Sequence, residues 1–401
     1  MHTAANAIDD RILYASSVDL FSTESLLNPY ADYRTLRDLG PIAYMTCHET
    51  WVVTRYDAVK RVLREPQTFS SAQGIGFNPV QNKAWEGLLP TIDKPAHTPL
   101  RKVYDDSLRP AAISQYSAGI ERQAERFVDA MLEKREFDAI SDCAEVLPVS
   151  IMADLVGFPD DGRRKHLIHW ATDSYNCCGP LGKFDASLTN MQQLYAYVVE
   201  ISNPDTIKGD TFAGHALAAV ARGEITQQEA MGIIGGYATA SLDTTANAVG
   251  NLLLLLAQNP EQWALVRDEP ELAMSTVREA SRVETPAQWF TRVTTHEVQF
   301  GDIAIPAGTR LIHSYGAANR DERRFPNPDR FDARRNPTDS LAFGHGVHTC
   351  PGQHISNLET RSLLTAMTRR IARLELTGEP VRRLNNLTRG LKSLPVRVHP
   401  R

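Results

Sequence analysis

Apolar residues recur along most of this chain at the three- and four-residue spacing of amphipathic helices, with a few short alternating runs between them. Asn28-Pro29-Tyr30 leads into a helix over residues 31–39 that ends at Gly40-Pro41. Residues 42–44 and 51–54 are β-rich and flank a polar turn, which predicts a hairpin. Asp57 is placed to cap a helix that runs through Val62-Leu63 and stops before Pro66. Helical spacing returns over 113–133 and over 271–283, the latter ending before Pro286. Residues 291–314 predict short strands with turns at Gly301-Asp302 and Pro306-Ala307-Gly308, and 319–336, rich in Arg, Asp and Pro, predict irregular structure. A helix follows Cys350 to about Arg373, and strands and turns close the chain.

One element differs from the rest. Thr226 and Glu229 form a capping box, and no proline follows until Pro260. At ~1.5 Å rise per residue this permits a helix roughly 50 Å long. Residues 252–256 are apolar on every side, so that half is expected to be buried all round. The centre carries Gly235-Gly236 and Ser241-Leu242-Asp243-Thr244-Thr245, and glycine and hydroxyl residues weaken a helix interior. A functional distortion is predicted there.

Composition narrows the function class. The 401 residues are 42% hydrophobic and 23% charged, as in an ordinary globular protein, and no repeat or linker divides them, so one domain over 1–401 is expected. The net charge of −5 gives no footing to nucleic acid. The five cysteines are Cys47, Cys143, Cys177, Cys178 and Cys350. They are odd in number and sparse, with Cys177-Cys178 reading as two small buried residues, which argues for a reducing cytoplasm and against a disulfide framework. The first residues, Met1-His2-Thr3-Ala4-Ala5-Asn6, lack the features of a signal peptide. The longest apolar run, 252–257, is far short of the roughly 20 residues of a membrane span.

The strongest chemical signal is Phe343-Gly344-His345-Gly346-Val347-His348-Thr349-Cys350-Pro351-Gly352. Three glycines let the backbone turn tightly and approach a flat ligand. Cys350 stands just before a helix, whose N-terminus favours a thiolate and is expected to lower the thiol pKa. Phe343 can exclude water from the sulfur, and His348 can donate to an anion. From these residues alone two other readings stand. Cys350 is then a buried free thiol, or it binds zinc with His345 and His348, though no fourth ligand has familiar spacing.

The loop matches Phe-x-x-Gly-x-His/Arg-x-Cys-x-Gly at every fixed position and so resembles the cysteine-ligand loop of the cytochrome P-450 family. The resemblance runs from Asn28-Pro29-Tyr30 to Arg389-Gly390-Leu391. It implies a mainly α fold, a triangular helical prism with small β-sheets, with haem b between the long central helix and the cysteine loop. Cys350 is then the axial ligand of the iron, with Phe343 and Gly352 beside it. Glu279 and Arg282 resemble the family's Glu-x-x-Arg, a structural pair that locks onto the segment around Asn319-Arg320-Asp321 and Phe331. His97, Arg101, Arg292 and His348 fall at the places that hold the two haem propionates. Ala240-Ser241-Leu242-Asp243-Thr244-Thr245 resembles the oxygen-activation motif, with Asp243 relaying protons and Thr244 handling dioxygen; Ser241 stands where glycine is usual. The implied activity is a monooxygenase using O2, with electrons from NAD(P)H through a flavin reductase and a 2Fe-2S ferredoxin. A peroxygenase using H2O2, or a haem sensor or carrier, has less need of the Asp243–Thr244 pair.

Within the family the chain resembles soluble bacterial 4-methoxybenzoate O-demethylases, through Gln288, Phe290, Arg292, Thr294-Thr295-His296-Glu297-Val298 and the tail Asn385-Asn386, Arg389-Gly390-Leu391 and Ser393-Leu394-Pro395. Those relatives hold a carboxylate with arginine and serine at places that match Gln73 and Gly235-Gly236 here. A buried carboxylate without a partner is costly. The expected substrate is therefore a small neutral aromatic, such as a methoxyphenol or alkylphenol, in preference to a para-substituted benzoate. Gln73 or Tyr175 would hydrogen-bond it, and Cys178, Ala240, Ala287 and Phe290 would wall the pocket.

Overall fold

A computed structural model describes residues 13–180 and 185–401. The first residues, read above for a leader, lie outside them. Ten helices matter for the site: α1 Tyr56–Arg64, α2 Pro79–Ala84, α3 His97–Leu108, α4 Ser117–Lys134, α5 Leu167–Asn176, α6 Asp185–Ile201, α7 Gln227–Ala240, α8 Asp243–Gln258, α9 Ala273–Val283 and α10 Gln353–Arg370. One sheet carries six strands: β1 Ala15–Ser16, β2 Ala43–Met45, β3 Thr50–Val53, β4 Phe69–Ser70, β5 Trp289–Thr294 and β6 Arg310–Ser314. Their order across it is β1-β2-β3-β6-β5-β4. The predicted hairpin is β2–β3, antiparallel through Tyr44 opposite Trp51. The largest apolar core lies among the helices, and two smaller ones flank the sheet.

The long central helix is two helices. The capping box is present, with Glu229 N donating to Thr226 Oγ1 at 3.2 Å and Thr226 N to Glu229 Oε2 at 2.7 Å. α7 ends at Ala240 and α8 begins at Asp243. Around the break, hydroxyls donate back onto helix carbonyls: Thr239 to Gly235 O (2.8 Å), Ser241 to Tyr237 O (2.6 Å) and Thr244 to Ala240 O (2.7 Å). This back-bonding bends a helix and weakens its own ladder. Beyond the break, Thr245 and everything to Leu256 is buried.

Two local expectations need correction. Asp57 does not cap α1; it lies in the first turn, and the Tyr56 amide is instead satisfied by Asp321 Oδ2 at 2.8 Å, from far along the chain. The last helix ends at Arg370, short of Arg373, because the strand Ile371–Leu376 pairs with Pro395–Pro400.

Two buried ionic knots hold the cysteine side to the rest. Glu279 and Arg282 on α9 have no solvent exposure and pair in two places, Nε to Oε2 at 2.7 Å and Nη2 to Oε1 at 2.8 Å. The remaining Arg282 nitrogen donates to Asn319 O (2.7 Å) and Pro328 O (2.8 Å). A second knot surrounds Glu284, which meets Arg320 (3.3 Å), Arg382 (3.1 Å) and Arg389 (2.9 Å). Burial alone would raise this carboxyl, but Arg389, Arg382 and Arg320 bring it down to about 2. Arg389 also donates to Tyr30 Oη at 2.9 Å, and Arg320 lies 3.4 Å over the Tyr30 ring.

Breaking a buried pair leaves one charge unpaired, which costs about 3–5 kcal/mol. Glu279→Ala should lower unfolding free energy in urea by that amount, and Glu279→Leu with Arg282→Met should lower it less. Equal losses in the single and double variants would show that packing, not the unpaired charge, sets the cost.

Candidate active site

The cysteine loop turns through Gly344 (φ +71°) and Gly346 (φ +74°), and a Cβ on Gly346 would lie 2.5 Å from Leu63 O of α1. Cys350 N donates to Phe343 O at 2.9 Å, which closes the loop on itself. A Cβ on Gly352 would come 3.7 Å from Cys350 Sγ, so the sulfur keeps an open side at the start of α10. Burial pushes the Cys350 thiol up from its ordinary value, against the downward pull of the Gly352 amide, Arg101 and the Gln353 amide. The expected lowering by the helix N-terminus is thus outweighed by desolvation in the polypeptide alone. A thiolate here needs a cation set against the sulfur, and a haem iron meets that need.

The four residues expected at the propionates gather beside this loop. His97, at the start of α3, is buried, and its Nε2 has no hydrogen-bond partner among the described residues. Its ring meets that of His348 edge-on, 4.7 Å between centroids. Arg292 on β5 is buried and donates from one nitrogen to Thr291 O (2.8 Å). Arg101 donates to Asp105 (2.8 Å) and into the cysteine loop at Thr349 O (2.5 Å). Burial, Arg292 and His97 bring His348 down to about 3, and burial followed by Arg101 and Lys94 lowers His97. The nearby carboxylate, Asp93, is engaged by Ser70 and Ser71, and Ser71 in turn meets His348 at 3.2 Å. Buried donors that converge with so little acceptor call for an anion. The two carboxylates of a haem fit them.

On the other side stands the helix break. Asp243 is fully buried and accepts from Thr172 Oγ1 of α5 (2.6 Å) and Asn247 Nδ2 (3.0 Å). Burial raises its carboxyl above the ordinary range, against the pull of Thr172, Arg383 and Thr388. Arg383 reaches Thr172 Oγ1 at 3.4 Å and pairs with Glu145, whose side chain is 15% exposed. Thr172, Arg383 and Glu145 carried no motif that could have found them.

Of the expected pocket residues, Tyr175, Cys178, Ala287 and Phe290 share one apolar cluster with Trp85 and Trp289. Ala240 is exposed, and Thr244, Ala287 and Phe290 keep partial exposure. Gln73 does not join them. Its side chain is exposed, and the loop is fixed by its backbone, with Arg310 donating to Gln73 O (2.6 Å) and Gly74 O (3.0 Å). A separate cavity of about 1240 Å³ runs between α2, α6 and α7 and reaches Gly235 and Thr239. Gly235 is open to it, the nearest atom to an added Cβ being Val198 Cγ1 at 3.7 Å, whereas Gly236 is closed by Tyr104 Oη at 2.1 Å.

Comparison with known proteins agrees with this geometry. The family model for cytochrome P450 matches residues 202–377. Cytochrome p450 CYP199A2 of Rhodopseudomonas palustris is 35% identical over 388 residues, 96% of this chain and 94% of that protein. The structure of P450BioI, solved in complex with an acyl carrier protein ligated to hexadec-9Z-enoic acid, superposes with a TM-score of 0.84 at 27% identity and covers 94% of this chain and all of that one. Cytochrome P450 CREJ, solved with (4-ethylphenyl) dihydrogen phosphate, gives 0.83 at 26% identity, over 93% and 98%. No described helix is long and apolar enough to cross a membrane. With a likeness that spans nearly the whole chain and a cysteine loop that faces buried donors for two carboxylates, the chain belongs to the cytochrome P450 family, whose members are haem monooxygenases.

Proposed function

We propose that this monooxygenase hydroxylates or O-demethylates a small neutral aromatic such as a methoxyphenol or alkylphenol, in the cytoplasm, with electrons from a 2Fe-2S ferredoxin. What carries the substrate class is the make-up of the walls. Tyr175, Cys178, Ala287 and Phe290 are apolar or weakly polar, and Lys83, on the cavity wall, is paired with Glu86. Among the described residues of these walls a carboxylate finds no free cation, and an unpaired charge in such a site costs several kcal/mol. The Tyr175 hydroxyl, with its proton held by burial, is the donor available to a phenol oxygen. The cavity at Gly235 and Thr239 gives an apolar route toward the helix break.

Bound haem supplies the iron that activates dioxygen, and a cysteine thiolate ligand favours O–O cleavage. The chain's own residues hold the cofactor and move protons. Cys350 would ligate the iron, and His97, Arg101, Arg292 and His348 would fix the propionates. Asp243 keeps its proton to a higher pH than a surface carboxylate does, because burial raises it. Thr172 holds Asp243 through its hydroxyl, and Arg383, paired with Glu145, orients Thr172 from the outer side. Thr244 donates to Ala240 O, leaving its lone pairs to accept a hydrogen bond at the break.

Titration with guaiacol-type phenols should give a high-spin spectral shift at low concentration, and 4-methoxybenzoate should bind at least tenfold more weakly. The reverse order would overturn the neutral-substrate reading. Asp243→Asn should slow NADH-driven product formation with ferredoxin by about a hundredfold, the low end for a positioned acid, while leaving the spectrum of the reduced carbon monoxide complex unchanged. Parent-like turnover would remove Asp243 from the relay.

A further inference from the structure

His313 and Tyr315 form a buried polar pair that the reaction scheme leaves unused. His313 on β6 lies directly opposite Phe290 of β5. Paired residues point to the same face of a sheet, so His313 shares a face with Phe290 and, two residues along, with Arg292. It is fully buried. Its Nε2 is 3.4 Å from Tyr315 Oη, and its Nδ1 has no partner among the described residues. Tyr315 Oη would be 3.7 Å from a Cβ on Gly344, which sets it against the cysteine loop, and its ring meets Phe290 at 5.9 Å.

Hydrogen counting makes the pair incomplete. Burial, together with Arg292 and His348, keeps the imidazole neutral. A neutral imidazole and a phenol carry two donor hydrogens between them. The contact within the pair uses one. If Nε2–H donates to the phenol, the Tyr315 O–H is left over; if the phenol donates to Nε2, Nδ1–H is left over. Either way one buried donor lacks an acceptor within the pair, and the neighbouring Arg292 guanidinium only donates. An acceptor set beside that buried cation is favoured as an anion. We propose that His313 and Tyr315 act as one unit that donates a hydrogen bond to a haem propionate beside Arg292, adding a positioning pair to the four residues of the cradle. This rests on haem seated at Cys350, which the reduced carbon monoxide spectrum of the parent protein tests separately.

The test uses the holoprotein. Haem transfer to excess apomyoglobin and the midpoint potential are measured for Tyr315→Phe, His313→Leu, their double variant and His313→Asn. Each single variant should lose haem about tenfold faster or more, as expected for one hydrogen bond to a charged group. The potential should fall in both, because the propionate then carries more uncompensated negative charge. The double variant should be no worse than the worse single one, and His313→Asn, which keeps a side-chain donor, should recover part of the loss. Parent-like haem loss and potential in both single variants would overturn the assignment. So would faster haem loss with an unchanged potential, which is the signature of packing alone. If His313→Leu fails to retain haem, Tyr315→Phe, which removes a single oxygen, decides.

Discussion

A salt bridge with no water on either side fixes where the cysteine loop can go. Glu279 satisfies two nitrogens of Arg282, and the third must find acceptors in a dry interior. It finds the carbonyls of Asn319 and Pro328. Asn319 then passes the constraint on, for its side chain accepts the Leu341 amide at 2.8 Å and donates to Thr285 at 2.9 Å. From Leu341 the backbone enters the loop, where Gly344 N returns to Leu341 O and Cys350 N to Phe343 O, both at 2.9 Å. An unbroken series of hydrogen bonds thus links a helix ion pair to the sulfur. The pair contributes position more than stability, since a well-packed apolar pair of similar volume could be as stable.

The opposite wall is soft where this one is rigid. α7 stops at Ala240 and α8 starts at Asp243, and three hydroxyls occupy carbonyls around the gap. Ser241, at the place where the family pattern has glycine, directs its hydroxyl back to Tyr237 O. The groove therefore does not have to accommodate an extra polar group. The energy lost in the helix ladder leaves Asp243 and Thr244 adjacent at the start of a buried helix, one facing an interior hydrogen-bond network and the other partly exposed.

Much of this was legible in the residues. The capping box, the apolar run of α8 and the hydroxyl-rich break are local features, and local chemistry suffices to place them. Cys350, Glu279, Arg282 and Arg292 could be placed through motifs of fixed spacing. Asp57 was misread because the group that satisfies α1 arrives from Asp321, and nothing near Asp57 announces it. Gln73 was misplaced for a related reason: Arg310 fixes that loop by its carbonyls, so side-chain identity carries no signal there. The thiol of Cys350 went the other way from expectation because desolvation is a property of the assembled interior. His313 did leave a trace, as a histidine inside the apolar run Leu311-Ile312-His313, but its Tyr315 and Arg292 neighbours emerge only from strand register.

The knot at Glu284 bears on the order in which the molecule is completed. Its arginines come from Arg320, Arg382 and Arg389, and the Arg389 side chain reaches back to Tyr30 near the other end of the chain. The same tail bridges Ala287 through Thr388 and accepts the Trp289 indole at Asn386 O, so it forms part of the pocket wall. During synthesis the elements before it can begin to collapse, but this wall cannot close until residues 382–389 have been made. Until that stretch docks, the cleft beside Ala287 and Trp289 lacks one side. The sealing of the pocket is thereby tied to the charge knot, and losing the grip of Arg382 and Arg389 on Glu284 would loosen the same stretch that covers Ala287 and Trp289.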